Sequence, residues 1–139
     1  MPTREIHQIT LELDGRDYAV SRLDAHAPIP PWADGDGFVS LSRSAHELSI
    51  VCLAARVPDG TTQEDGWCAL RFVGPFAFGA TGIVLSVVRP LSEGGLGVFV
   101  VSTFDGDHLL LKRPDLPRAR ALLAGAGHKL MDAAPAYAA

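Results

Sequence analysis

Asp105, Asp107 and His108 stand close together in the chain, and carboxylates beside an imidazole are the donor set of a metal site. On a strand, however, successive side chains point to opposite faces, so Asp107 and His108 do not share an ion, and no metal is expected. Nucleophilic catalysis fails for a different reason. No nucleophile, base and orienting partner can be assembled from this sequence. There is no Gly-x-Ser-x-Gly elbow, no phosphate-cradling Gly-x-x-x-x-Gly-Lys, no His-Glu-x-x-His and no Cys-x-x-Cys. Gly94-Gly95-Leu96-Gly97 follows a helical pattern and precedes a strand, the wrong order for a dinucleotide loop, and reads as a helix stop. Neither an enzyme nor a cofactor is expected.

Composition narrows the classes further. The chain of 139 residues carries 12 Lys+Arg against 16 Asp+Glu, a net charge of −4. That balance speaks against a nucleic-acid partner, since few phosphate counterions would be released. A hydrophobic share of 47% against 20% charged is ample for a packed core. No apolar run reaches the ~18 residues a bilayer needs, so no membrane partner is expected. The segment Met1-Pro2-Thr3-Arg4-Glu5 has no signal-peptide pattern. Cys52 and Cys68 lie far apart without metal-ligand spacing, and a reduced, cytoplasmic protein is the simplest reading.

The elements that must position any site follow from periodicity. Ile9 to Leu13 alternates apolar and polar, Asp14-Gly15 reads as a tight turn, and Tyr18 to Leu23 runs back as a hairpin partner. Ala25 to Gly37, rich in proline and glycine, reads as an irregular loop. Phe38–Ser42 and Glu47–Leu53 follow as strands, and Pro58-Asp59-Gly60 opens a polar linker ending near Gly66. Trp67 to Val73 is the next strand. Thr81 to Glu93 places Ile83, Val84, Val87, Val88 and Leu91 on one helical stripe, with Pro90 expected to cost a backbone hydrogen bond. Gly97–Thr103, a turn at Asp105-Gly106 and Asp107–Lys112 form a hairpin. A helix over Pro117–Ala124 and an edge strand over His128–Met131 complete the order β-α-β-β-α-β, the ferredoxin-like split unit. The expected division is a strand-rich unit over 1–62, the split unit over 63–131, and a disordered tail over 132–139. Edges of such a sheet invite pairing, and a homodimer is expected.

Three stretches carry a resemblance: Gly74-Pro75-Phe76-Ala77-Phe78, Thr81-Gly82-Ile83-Val84, and Ser102-Thr103-Phe104-Asp105-Gly106-Asp107-His108. Together they resemble the C-terminal unit of small bacterial tandem ACT-domain proteins, which reads Gly-Pro-x-x-Phe, Thr-Gly-Ile, Ser-Thr-Phe/Tyr-Asp-Thr-Asp. That group is similar to the arginine-sensing proteins of animal cells. Glu47 to Cys52 also resembles the family's Glu-x-Ser-Val-Val-Cys strand, and Trp67 its opening of the second unit. The resemblance runs from about Leu11 to Met131. It implies an α+β fold of two ACT-like units, the first reduced to strands, acting as a regulatory module. A free amino acid would bind between the units, with His46, Ser49 and Ile50 facing Gly82, Ile83, Thr103, Phe104 and Asp107.

That implication agrees with the chemistry of such a ligand. Its carboxylate needs N–H donors and positive potential, which a glycine-opened helix N-terminus supplies; its ammonium needs a charged acceptor such as Asp107. Departures from the family pattern restrict the ligand. Gly106 replaces a threonine, and Ala80 stands where the arginine-sensing relatives carry an acidic side chain, so a neutral amino acid is expected over a basic one. Each residue also has a structural reading. Asp105-Gly106 serves as turn chemistry, Gly82 as close helix packing, Ser49 as a backbone-satisfied strand residue and His46 as a solvated turn histidine. Phe76, Phe78 and the two cysteines read as core, and Trp32 and Trp67 as either lid or packing. The alternative function is a structural or protein-interaction ACT module with no small-molecule ligand.

Overall fold

The computed structural model describes residues 8–74, 76 and 81–133. Seven strands and two α-helices run in the order β1 Thr10–Leu23, β2 Ser40–Arg43, β3 Leu48–Leu53, β4 Thr62–Phe72, α1 Ile83–Glu93, β5 Val98–Ser102, β6 Asp107–Lys112, α2 Leu116–Gly125 and β7 Lys129–Asp132. The chain divides into two compact units, Met1–Gly15 with Ala69–Ala139, and Arg16–Cys68. This division and the one expected at residue 62 differ chiefly in the N-terminal residues 1–15, which group with the C-terminal part. β1 and β4 each run through both units.

The C-terminal unit is the expected split β-α-β-β-α-β arrangement with one strand added. Its strands lie in the order β7, β1, β4, β6, β5. The start of β1 pairs parallel to β7, Thr10 opposite Lys129 and Leu13 opposite Asp132, and the Val73 N–H donates to the Thr10 carbonyl at 2.9 Å. β5 and β6 pair antiparallel from Val98–Leu111 to Ser102–Asp107, the hairpin expected around Asp105-Gly106. In α1 the buried stripe is Ile83, Val87 and Leu91, one residue per turn. The helix passes through Pro90 and stops at the glycines. Gly95 has φ +84°, a left-handed value glycine adopts freely, and the Leu96 N–H closes back on the Leu91 carbonyl. Ala119 and Leu123 are the buried positions of α2, which packs on α1. Leu11, Leu13, Ala69, Leu70, Phe72, Leu109, Leu110 and Leu111 are buried strand residues of this unit.

The other unit is built from strands without an α-helix. Tyr18–Leu23 of β1 pairs antiparallel to β3, and β3 to β2. Ala19, Ala33, Leu48, Ile50, Cys52 and Val57 form its core, with Trp32 packed against it, which decides that tryptophan's role in favour of packing. The proline-rich loop is fastened by two guanidinium groups. Arg43 donates to the carbonyls of Ala25 and Ala27, and Arg56 donates to those of Trp32 and Asp36. Of the backbone, only a short 3-10 turn over Pro31–Ala33 is regular there.

Two expectations about strands are corrected. Asp14-Gly15 is no hairpin turn; β1 is one strand of 14 residues, and Gly15 is absent from the glycines with positive φ. Partners on both halves hold the strand extended, and this pairing outweighs a local dipeptide preference. β4 begins at Thr62 rather than Trp67, so the expected linker is half strand. The edge strand β7 extends to Asp132, and the expected tail beyond residue 133 lies outside the described residues.

Candidate functional site

A cavity of about 390 Å³ opens at the start of α1. Gly82 makes it possible locally. It is the residue before the helix, held at φ +80°, where a side chain would be strained, and it turns the chain so that the first helical N–H groups face outward. Among the described residues no side chain caps this terminus, and the first turn carries no acidic residue. Its first helical bond runs from the Ser86 N–H to the Gly82 carbonyl at 2.9 Å. The N–H groups of the turn before it therefore lack intrahelical acceptors, and the helix dipole adds positive potential there.

The opposite wall is the tip of the β5–β6 hairpin. Thr103 closes that tip twice over. Its N–H donates to the Gly106 carbonyl at 2.7 Å, and its hydroxyl donates to the same oxygen at 3.0 Å. Phe104, 80% exposed, projects at the rim, and Asp107 lines the cavity beside Asp105. Ser102 donates its hydroxyl to Asp107 Oδ1 at 2.5 Å. The remaining lining is apolar: Phe76, Ile83, Val84 and Leu85. A cavity with uncapped N–H groups at one wall, carboxylates at the other and aliphatic groups between them suits a small zwitterion.

Five residues expected at the site, Gly82, Ile83, Thr103, Phe104 and Asp107, line this one cavity. Val84, Leu85 and Asp105 line it too and were not expected; the helical period offered a signal for Leu85, which falls off the buried stripe. The other three expected residues belong to the second unit. His46 is exposed in the turn between β2 and β3, where its N–H donates to Ser44 Oγ at 3.1 Å. Ser49 is half-buried on β3 between Ser42 and Arg22. Ile50 is fully buried in that unit's core. Phe76, expected as core and as an apolar neighbour at one end of the crevice, lines the cavity, whereas Phe78, Ala77 and Ala80 lie outside the described residues.

A second cavity of about 300 Å³ lies against the same hairpin tip and is lined by Arg71, Phe72, Gly74 and His108 together with Thr103 and Asp105–Asp107. Arg71 is engaged there by Glu12 at 3.2 Å. Burial pushes the His108 imidazole below its ordinary range; Arg71 adds to that, and Asp107 opposes it. Among the described residues no cluster of three metal-ligating side chains occurs.

Comparison with known proteins settles the family. Residues 62–124 match the ACT domain, and residues 16–60 match a family of N-terminal domains. A crystallographically determined protein of Agrobacterium tumefaciens is 52% identical, with a TM-score of 0.88 over 92% of this chain and 96% of that one. The chain belongs to the ACT-domain family. The human protein CASTOR3P is 35% identical to this ACT-domain chain over 91 residues, 60% of this chain and 48% of that protein. The chain thus spans about half the length of that curated relative. The regulatory subunit of aspartate kinase from Thermus thermophilus has the same fold at 7% identity, with a TM-score of 0.58 over 88% of this chain and 99% of that one. Membership in the ACT-domain family supports a regulatory, amino-acid-sensing role in general. Among the described residues, no helix is long and apolar enough to cross a membrane.

Proposed function

We propose that this ACT-domain chain senses a free amino acid with a neutral side chain, without catalysis, and that the cavity between the start of α1 and the β5–β6 hairpin receives it. One observation carries the reading: an uncapped helix N-terminus and Asp107 line the same 390 Å³ cavity, together with Gly82, Ile83, Thr103 and Phe104. The helix end would take the carboxylate, Asp107 the ammonium, and Ile83, Leu85 and Phe76 the side chain. A part for His46, Ser49 and Ile50 belongs to the same proposal, and Ser49→Ala is expected to weaken binding. Escherichia coli aspartokinase III, which is known in complex with aspartate and ADP, shares the fold at 11% identity and a TM-score of 0.61 over 84% of this chain and 32% of that one.

The test is a thermal-shift panel of the proteinogenic amino acids on the full chain. A ligand at 100 times its dissociation constant adds about 2.7 kcal/mol, an upward shift of several degrees. A flat response across the panel would favour the interaction-module reading. Assembly as a homodimer is part of the proposal as well. β5 ends its sheet with Val98, Phe99, Val100 and Val101 and no charge, whereas β7 at the other edge carries Lys129 and Asp132. Sedimentation equilibrium showing only a 14.7 kDa species would remove that part.

A further inference from the structure

We infer that Ser102 is a positioning residue for the cavity: its hydroxyl holds one oxygen of the Asp107 carboxylate so that the other is presented to a ligand's cationic group. The inference rests on the reading of the cavity given above and adds to it a residue outside the lining. Ser102 and Asp107 are register partners, the last pair of the β5–β6 ladder before the turn, so their side chains start from the same face. The hydroxyl-to-Oδ1 distance of 2.5 Å lies at the short end for a hydroxyl donating to a carboxylate. Asp107 itself lines the cavity.

The hairpin does not need this bond. Thr103 closes the turn with two bonds to Gly106, and four further register pairs lie behind it, from Val98–Leu111 to Val101–His108. Ser102 is exposed, and an exposed hydrogen bond adds little to stability against water competition. What the bond does is remove rotational freedom from a carboxylate that lines the cavity. A free aspartate side chain samples several staggered wells and must be fixed when a ligand binds; one already held does not incur that loss.

The experiment uses the full chain with Ser102→Ala and Ser102→Thr. The Hα–Hβ couplings of Asp107, read by NMR without ligand, are expected to report one dominant rotamer in the parent and in Ser102→Thr, and averaging in Ser102→Ala. Melting temperatures of the three unliganded proteins should agree. Against whichever proteinogenic amino acids shift the parent protein, Ser102→Ala should bind about tenfold more weakly, and Ser102→Thr should bind as the parent does. Equal affinity of Ser102→Ala and parent, or unchanged couplings, overturns the role of Ser102 while leaving the sensing reading intact. A parent that responds to no amino acid overturns both together.

Discussion

His128 donates its Nε2–H to the Ser86 carbonyl at 2.7 Å, and that carbonyl is the one Pro90 leaves without its helical donor. In an unbroken helix the N–H of residue 90 would bond Ser86; proline has none. The other ring nitrogen, Nδ1, accepts the Ile9 N–H at 3.0 Å, which places the ring proton on Nε2. One imidazole, 6% exposed, thereby ties the middle of α1 to the chain just before β1.

Replacing His128 with Phe orphans a buried N–H and a half-buried carbonyl. Each costs about 1–3 kcal/mol, so a loss of about 2–6 kcal/mol is expected in urea denaturation. Pro90→Ala supplies the missing N–H to Ser86. In that background His128→Phe should cost less, with a coupling of about 0.5–2 kcal/mol in the double-mutant cycle. Equal costs in both backgrounds would show that the ring does not stand in for the helical donor.

Asp107→Asn keeps the shape of the hairpin and removes the charge. Loss of a charged acceptor costs about 1.5–3 kcal/mol, so amino-acid affinity measured by calorimetric titration should fall ten- to over a hundred-fold. The melting temperature of the unliganded protein should hardly move. Unchanged affinity would take Asp107 out of the site.

Selectivity should run toward neutral amino acids over arginine and lysine by at least about tenfold, a difference of about 1.4 kcal/mol. Ile83, Val84, Leu85 and Phe76 line the cavity beyond its carboxylates, and a cationic side chain laid among them would lose hydration without a partner. Competition titrations decide this. Arginine binding as tightly as leucine would point to Asp105, also in the lining.

His108 gives the folded protein an acid-side sensitivity. Its folded-state pKa lies below the ordinary 6.5, through burial first and then Arg71. Below about that value the unfolded chain takes up a proton more readily than the folded one. The neutral ring's contribution is therefore complete above pH ~6.5 and is lost as the pH falls beneath it. Thermal melts across this range should show a slope that His108→Gln reduces; an identical slope in the variant would assign it to other groups.

The β-α-β-β-α-β order was legible because each of its elements is set by local pattern. A β-branched run marks β5, the Asp105-Gly106 turn marks its return as β6, and the 83–87–91 stripe marks α1. What escaped was non-local. Nothing within Ile9–Leu13 announces that its parallel partner is Lys129–Asp132, and Asp14-Gly15 signals a turn wherever no second strand overrules it. The cavity divides in the same way. Gly82 and the Thr103–Asp107 tip carry motif residues, whereas Leu85 enters only because the helix begins where it does. His128 had one indirect signal, a helical proline whose orphaned carbonyl must be satisfied somewhere.

The pairing of β1 with β7 also governs the order in which the chain can fold as it is synthesised. Thr10–Leu13 emerges early, yet its parallel partner is made more than a hundred residues later, and Ile9 finds its imidazole acceptor across a separation of 119 residues. Arg16–Cys68 can complete its own core as soon as it has left the ribosome. The C-terminal unit, by contrast, holds an unpaired N-terminal strand edge until residues 128–132 exist, and contacts of such long range are slow to form. The exposed interval of this protein during synthesis thus belongs to its earliest-made strand, and a chain released short of β7 would carry that edge permanently.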